Sequence, residues 1–294
     1  MPTAPSNGLT LFYESFGNES DPALLLVMGL GAQMLLWEES FCRKLAGNGF
    51  RVIRYDNRDV GLSSKIEGGP TPDIGKAMTG DTSSASYTLW DMADDAVGLL
   101  GSLGIDKAHI VGASMGGMIV QAMAIKHPER ALTMTSIMST TGNREVGQST
   151  PEARGALLSP PPTNREEAIA SGVKSWKVIG GTFPFDEERI AQRTGVMYDR
   201  AFYPAGIARQ LVAIMASGDR TEALKQVNAP TLVIHGEVDP LVTPSGGRAT
   251  AEAIPGAELL MVPGMGHDIP AEVEDQVVEA IVANTRKAAT SALA

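Results

Sequence analysis

Six apolar runs rich in branched side chains recur along the chain: ALLLVMG (23–29), FRVIRYD (50–56), AHIVGA (108–113), LTMTSIM (132–138), PTLVIHG (230–236) and AELLMVP (257–263). A strand with one wet face alternates polar and apolar residues, whereas a near-continuous apolar run implies burial on both faces. Amphipathic stretches at 38–47, 88–103, 115–127 and 272–287 lie between them and read as helices. This alternation predicts an α/β fold, a mostly parallel central sheet flanked by helices on both sides. GLTLFYESFG (8–17) alternates instead and predicts an antiparallel hairpin arm at the sheet edge.

The alternation stops between Thr140 and Glu222, where Pro160 to Pro162 precede TNREEAIASGVKSW and DEERIAQRTGVMYDRAFYPAGIARQLVAIMAS. Both segments read as helices with irregular connections. At 294 residues the chain fits one α/β core with an insertion. The expected division is a core of residues 1–139 and 223–294 with a helical cap insertion at 140–222, placed to lie over the catalytic face. No internal repeat or low-complexity linker interrupts this plan.

Within AHIVGASMGGMIVQ, Gly112, Ser114 and Gly116 spell G-x-S-x-G. A serine on a sharp strand-to-helix turn brings the flanking chain so close that only glycine fits two positions either side, and its hydroxyl is pushed clear of the sheet. The motif gains meaning from its context. Ile110 and Val111 supply a strand before it, and MGGMIVQAMAIK supplies a helix after it that Pro128 stops.

Serine is a weak nucleophile at neutral pH, so a functional Ser114 needs a base, a group to orient that base, and donors for a developing oxyanion. The chain holds four histidines. His109 begins the strand that leads to Ser114 and cannot fold back onto its own turn. His127 closes the following helix, where interaction with the C-terminal carbonyls is expected. His235, inside TLVIHG, reads as a hydrogen-bonded strand residue. His267 follows a strand in the glycine-rich loop VPGMGHDIP and is the expected base. Asp239 in HGEVDPLVTP is the expected orienting carboxylate, giving the chain order Ser, Asp, His. Glu237 is the reserve candidate, and Asp268, a sequence neighbour of the histidine, is expected to point elsewhere. The expected oxyanion donors are the backbone N–H groups of Met115, directly after the serine, and Leu30, in the loop after an early strand.

The formal charge of −10, from 24 basic and 34 acidic side chains, argues against nucleic acid or an anionic membrane surface as partner. A single cysteine, Cys42, excludes an internal disulfide and a thiolate metal cluster, and it reads as a small buried hydrophobe. No cofactor or metal is expected. MPTAPSNG lacks the charged and apolar segments of an export signal, and the apolar stretches are too short to span a bilayer, so a cytoplasmic protein is expected.

Together these features resemble the α/β-hydrolase superfamily from about Leu9 to Ala283. YDNRDVGLSS is similar to that family's Tyr-Asp-x-Arg-x-x-Gly-x-Ser loop, here Tyr55, Asp56, Arg58, Gly61 and Ser63, and the resemblance implies that it supports the sheet edge and the oxyanion loop. Two departures stand out: Met28-Gly29 where many members carry His-Gly, and Asp59 where many carry Gly. DPALLLVMG, VIRYDNRDVG, SWKVIGGTFPFD and VPGMGH resemble the aclacinomycin methylesterase group more closely. That resemblance implies a serine-dependent carboxylic ester hydrolase, with a small-molecule ester of small to medium, moderately apolar kind as its substrate. A lactonase, a C–C bond hydrolase, a cofactor-free perhydrolase and a small-molecule receptor are the alternatives, and a homodimer is left open.

Overall fold

The computed structural model describes residues 2–288; residue 1 and residues 289–294, at the ends of the expected core, lie outside the described residues. The strands are β1 (Thr3–Ser6), β2 (Leu9–Phe16), β3 (Ala23–Val27), β4 (Arg51–Tyr55), β5 (Ala108–Ala113), β6 (Ala131–Ile137), β7 (Thr231–Gly236) and β8 (Glu258–Val262). They form one eight-stranded sheet in the order β1-β2-β4-β3-β5-β6-β7-β8. The β1–β2 and β2–β4 pairs are antiparallel, and every other pair is parallel. The expected edge hairpin is therefore present. Asn7 and Gly8 turn it, with φ of +49° and +77°, the left-handed backbone that a two-residue hairpin loop demands.

The helices outside the long β6–β7 connection are α1 (Glu39–Gly47), α2 (Ile74–Met78), α3 (Leu89–Ser102), α4 (Met115–Lys126), α10 (Pro244–Ala253) and α11 (Ala271–Thr285). Successive strand side chains point to opposite faces, which divides the core in two. Leu25 and Val27 of β3 and Ile110 of β5 join α3 and α4 on one face. Leu24 and Leu26 of β3 and Val111 of β5 join α1 and α11 on the other. Ten of the twelve residues of α4 are buried, Gln121 among them, so this helix is enclosed all round rather than half-wet.

One strand departs from the expected double burial. Glu258 and Leu259 of β8 are exposed because β8 is the sheet's last strand, with β7 on one side only.

Between β6 and β7 run α5 (Pro151–Leu157), α6 (Arg165–Ile179), α7 (Glu187–Arg200), α8 (Pro204–Ala216) and α9 (Thr221–Leu224). Helix α8 is no detached element: Ala213 belongs to the core beside α4, and Arg209 and Gln210 are buried. Two ion pairs anchor this segment to the loop after β4. Arg200 lies 2.7 Å from Asp56, and Arg209 lies 2.8 Å from Asp59. Among the described residues no helix is long and apolar enough to cross a membrane.

Candidate active site

Strand β5 ends at Ala113 and α4 begins at Met115, leaving Ser114 alone at the turn with φ +58°. A non-glycine residue held there stores strain, so the surroundings must fix it. The Ser114 N–H donates to Ile137 O at 2.9 Å. The flanking glycines supply the space: a Cβ on Gly112 would overlap the Gly116 carbonyl, and one on Gly116 would overlap the Val27 carbonyl at the end of β3. A further clamp is Ser139, whose Oγ donates to Ser114 O at 2.8 Å.

The structure brings three of the expected side chains together. Ser114 Oγ is 2.9 Å from His267 Nε2, and His267 Nδ1 is 2.7 Å from Asp239 Oδ2. Asp239 is 2% exposed, and its Oδ1 accepts N–H bonds from Leu241 at 2.9 Å and Val242 at 3.0 Å. With Oδ1 saturated, Oδ2 is left for the histidine. The His267 N–H donates to Ile179 O of α6 at 2.7 Å, so the histidine loop is braced by the segment between β6 and β7.

The remaining titratable candidates stand apart. Glu237 is exposed, while Asp268 is half-buried, with its carboxyl raised by burial and no hydrogen bond to the imidazole of His267. His109 sits 2.9 Å from Thr133 Oγ1, and burial pushes it down to about 4. His235, also lowered by burial, donates from Nε2 to Val242 O at 2.7 Å, and that nitrogen lies 3.6 Å from Asp239 Oδ2. A strand residue thus helps close the loop that holds the carboxylate. His127 differs from expectation: its Nε2 pairs with Asp94 Oδ1 of α3 at 2.7 Å rather than with helix-end carbonyls, because α3 brings an anion within reach.

The loop after β3 runs against the serine. A Cβ on Gly29 would sit 3.1 Å from Ser114 Cβ and 3.5 Å from its Oγ. A turn closes from Ala32 N–H to Gly29 O at 3.3 Å, with Gly31 at its third position and φ +64°, where glycine is favoured. Asn57 Nδ2 donates to Met28 O at 2.9 Å, and Gly31 N–H donates to Gln210 Oε1 of α8 at 2.8 Å. Leu30 directly follows Gly29 in this loop, and Met115 directly follows Ser114 at the start of α4. Asn57, Ser139, His235 and Gln210 were not foreseen as site residues. Asn57, Ser139 and Gln210 act on chain remote from themselves, so nothing in the local sequence marks them, whereas His235 acts on the loop that follows its own strand.

The loop after β4 supports this region. Asp56 accepts from Met34 N–H and Leu62 N–H, both at 2.9 Å, and Ser63 Oγ links Asp56 O to Phe12 N–H of β2. Asp59 has φ +68°, which accounts for glycine being suited to that position, and its carboxylate accepts from Arg209, Tyr87 and the Ile66 N–H. Among the described residues, no group of three or more His, Cys, Asp or Glu side chains gathers to hold a metal ion.

Comparison with known proteins agrees with this architecture. The chain is 30% identical to rhodomycin D methylesterase DauP of Streptomyces sp. (strain C5), over 98% of this chain and 99% of that protein. It is 26% identical to 3-oxoadipate enol-lactonase 1 of Acinetobacter baylyi, over 82% of this chain and 80% of that protein. The crystal structure of an enol-lactonase from Burkholderia xenovorans LB400 superposes with a TM-score of 0.74 at 26% identity, covering 96% of this chain and 99% of the other. Residues 22–272 match the family model described as alpha/beta hydrolase fold, and the chain belongs to that family.

Proposed function

We propose that the protein is a serine-dependent carboxylic ester hydrolase that works through an acyl-enzyme. The observation that carries this reading is the unbroken hydrogen-bonded line from Ser114 Oγ through His267 to the buried Asp239. Ser114 Oγ attacks the ester carbonyl carbon while His267 Nε2 takes its proton. The carbonyl oxygen gathers negative charge and is held by the Leu30 and Met115 N–H groups, which lie fixed before the reaction starts. Collapse of the tetrahedral species breaks the bond to the leaving oxygen, and His267 returns the proton to that alkoxide. Water repeats the attack on the acyl-serine with His267 as base, which releases the acid and restores the hydroxyl. Throughout, Asp239 Oδ2 accepts the Nδ1–H, so Nε2 is the nitrogen left free to accept the serine proton.

In this reading residues 140–222 form a cap over the site, supported by the contacts of Ile179 with the histidine loop and of Gln210 with the Gly31 N–H. Ile207 packs on Gly31 yet is 39% exposed, and Val238 beside Asp239 is 43% exposed, which suits a moderately apolar acyl or alcohol group. Similarity to methylesterases favours an ester with a small alcohol part. Lactone opening is the second reading, because a lactone is a cyclic ester cleaved by the same steps and the chain is 26% identical to an enol-lactonase over 82% of its length.

Treatment with a fluorophosphonate followed by peptide mass mapping tests the nucleophile. The adduct is expected on Ser114 and is lost in His267→Ala. Labelling of another residue, or none, contradicts the reading.

A further inference from the structure

Helix α8 reaches the loop after β3 through one side chain that is wholly buried. Gln210 is 0% exposed, accepts the Gly31 N–H on Oε1 at 2.8 Å, and donates from Nε2 to Arg58 O at 2.8 Å. The amide therefore spans two loops: the one against Ser114 and the one after β4. Its orientation leaves no freedom, because an oxygen must face the N–H and a nitrogen must face the carbonyl.

The peptide planes that flank Leu30 are set from both ends. The Gly29–Leu30 peptide has its carbonyl held by Ala32 N–H, and the Leu30–Gly31 peptide has its N–H held by Gln210. Without Gln210 the second of these planes is free to rotate, and the Gly31 N–H loses its buried acceptor. Helix α8 also packs directly on Gly31, since a Cβ there would meet Ile207 Cγ1 of the same helix at 2.9 Å. A glycine with φ +64° is mobile by nature, so its partner decides where it rests.

We infer that Gln210 is a positioning residue for the reaction: from the inserted helix α8 it fixes the peptide planes of the Gly29–Gly31 turn, and so holds the Leu30 N–H where an oxyanion forms. This rests on the assignment of that N–H as an oxyanion donor. It gives α8 a part in the chemical step, separate from any contact with the bound ester. Arg209 next to it pairs with Asp59 and docks the helix, whereas Gln210 alone on α8 hydrogen-bonds the turn beside the nucleophile.

The test compares Gln210→Met, which keeps the volume but removes both hydrogen bonds, with Gln210→Glu, which in either protonation state keeps an oxygen facing Gly31. Both are assayed on a p-nitrophenyl ester and titrated with phenylboronic acid, whose serine adduct is tetrahedral and places a boron-bound oxygen among the oxyanion donors. Gln210→Met is expected to lower kcat by roughly 10- to 100-fold, the scale of a small misplacement at a reacting centre, with KM within about threefold. Boronate affinity is expected to fall by a similar factor, and Gln210→Glu to retain most of the parent's kcat. Unchanged kcat in Gln210→Met, a change in KM alone, equal losses in both variants, or failure of both to fold would overturn the inference. Loss of turnover in Ser114→Ala alongside an unaffected Gln210→Met would sink this inference alone. Full turnover in Ser114→Ala would sink the esterase reading beneath it.

Discussion

Gly112 and Gly116 approach so closely across the Ser114 turn that no Cβ fits between the first and the carbonyl of the second. Gly112→Ala must push the first turn of α4 away from β5. Overpacking of this kind costs about 1–3 kcal/mol, and a misplacement of the nucleophile costs on the order of 100-fold in rate. Thermal unfolding and kcat should both fall in this variant. A parent-like kcat would mean that the turn relaxes without moving the serine.

Asp239→Asn keeps an oxygen for the Leu241 and Val242 N–H groups but turns an amide N–H toward His267. The imidazole then has to accept at Nδ1 and carries its proton on Nε2, where it can no longer take one from serine. A loss in kcat of about 10⁴-fold with little change in KM is expected. Steady-state kinetics against the parent decide it, and a loss below about tenfold would remove Asp239 from its role.

Burial pushes His109 from an ordinary 6.5 to about 4. The unfolded chain therefore takes up a proton at a higher pH than the folded one does. The stability tied to the neutral imidazole is complete above pH 6.5 and is lost as pH falls toward 4, by an amount of roughly 3 kcal/mol. His235, lowered for the same reason, contributes with the same sign. Denaturant titrations between pH 7 and pH 4.5 should show a shallower decline for His109→Gln than for the parent; parallel curves would contradict this.

The strands, the edge hairpin and the Ser114 turn were legible because local chemistry sets them: apolar runs for buried strands, the alternation of residues 8–17 for the hairpin arm, and glycines two positions from the serine. His267 and Asp239 were legible because both sit in loops that directly follow strands. The exposure of Leu259 was not, since an apolar run does not say which strand ends a sheet. Nor was the full burial of α4, whose stretch reads as an amphipathic helix although ten of its twelve residues are enclosed. Least legible were Gln210, Arg200 and Arg209, polar residues on helices between β6 and β7 whose partners Gly31, Asp56 and Asp59 lie more than a hundred positions away. Asp59 could be noticed as a departure from glycine, but its reason, an ion pair with Arg209 held at a positive φ, exists only in the folded chain.

The most direct measurement is steady-state hydrolysis of p-nitrophenyl esters from acetate to decanoate by the parent and by Ser114→Ala. Rapid turnover that the variant loses by at least about 10³-fold is the expected result, and the chain length at which kcat/KM peaks gives the size of the acyl pocket. No turnover in the parent, or equal turnover in the variant, would contradict the account.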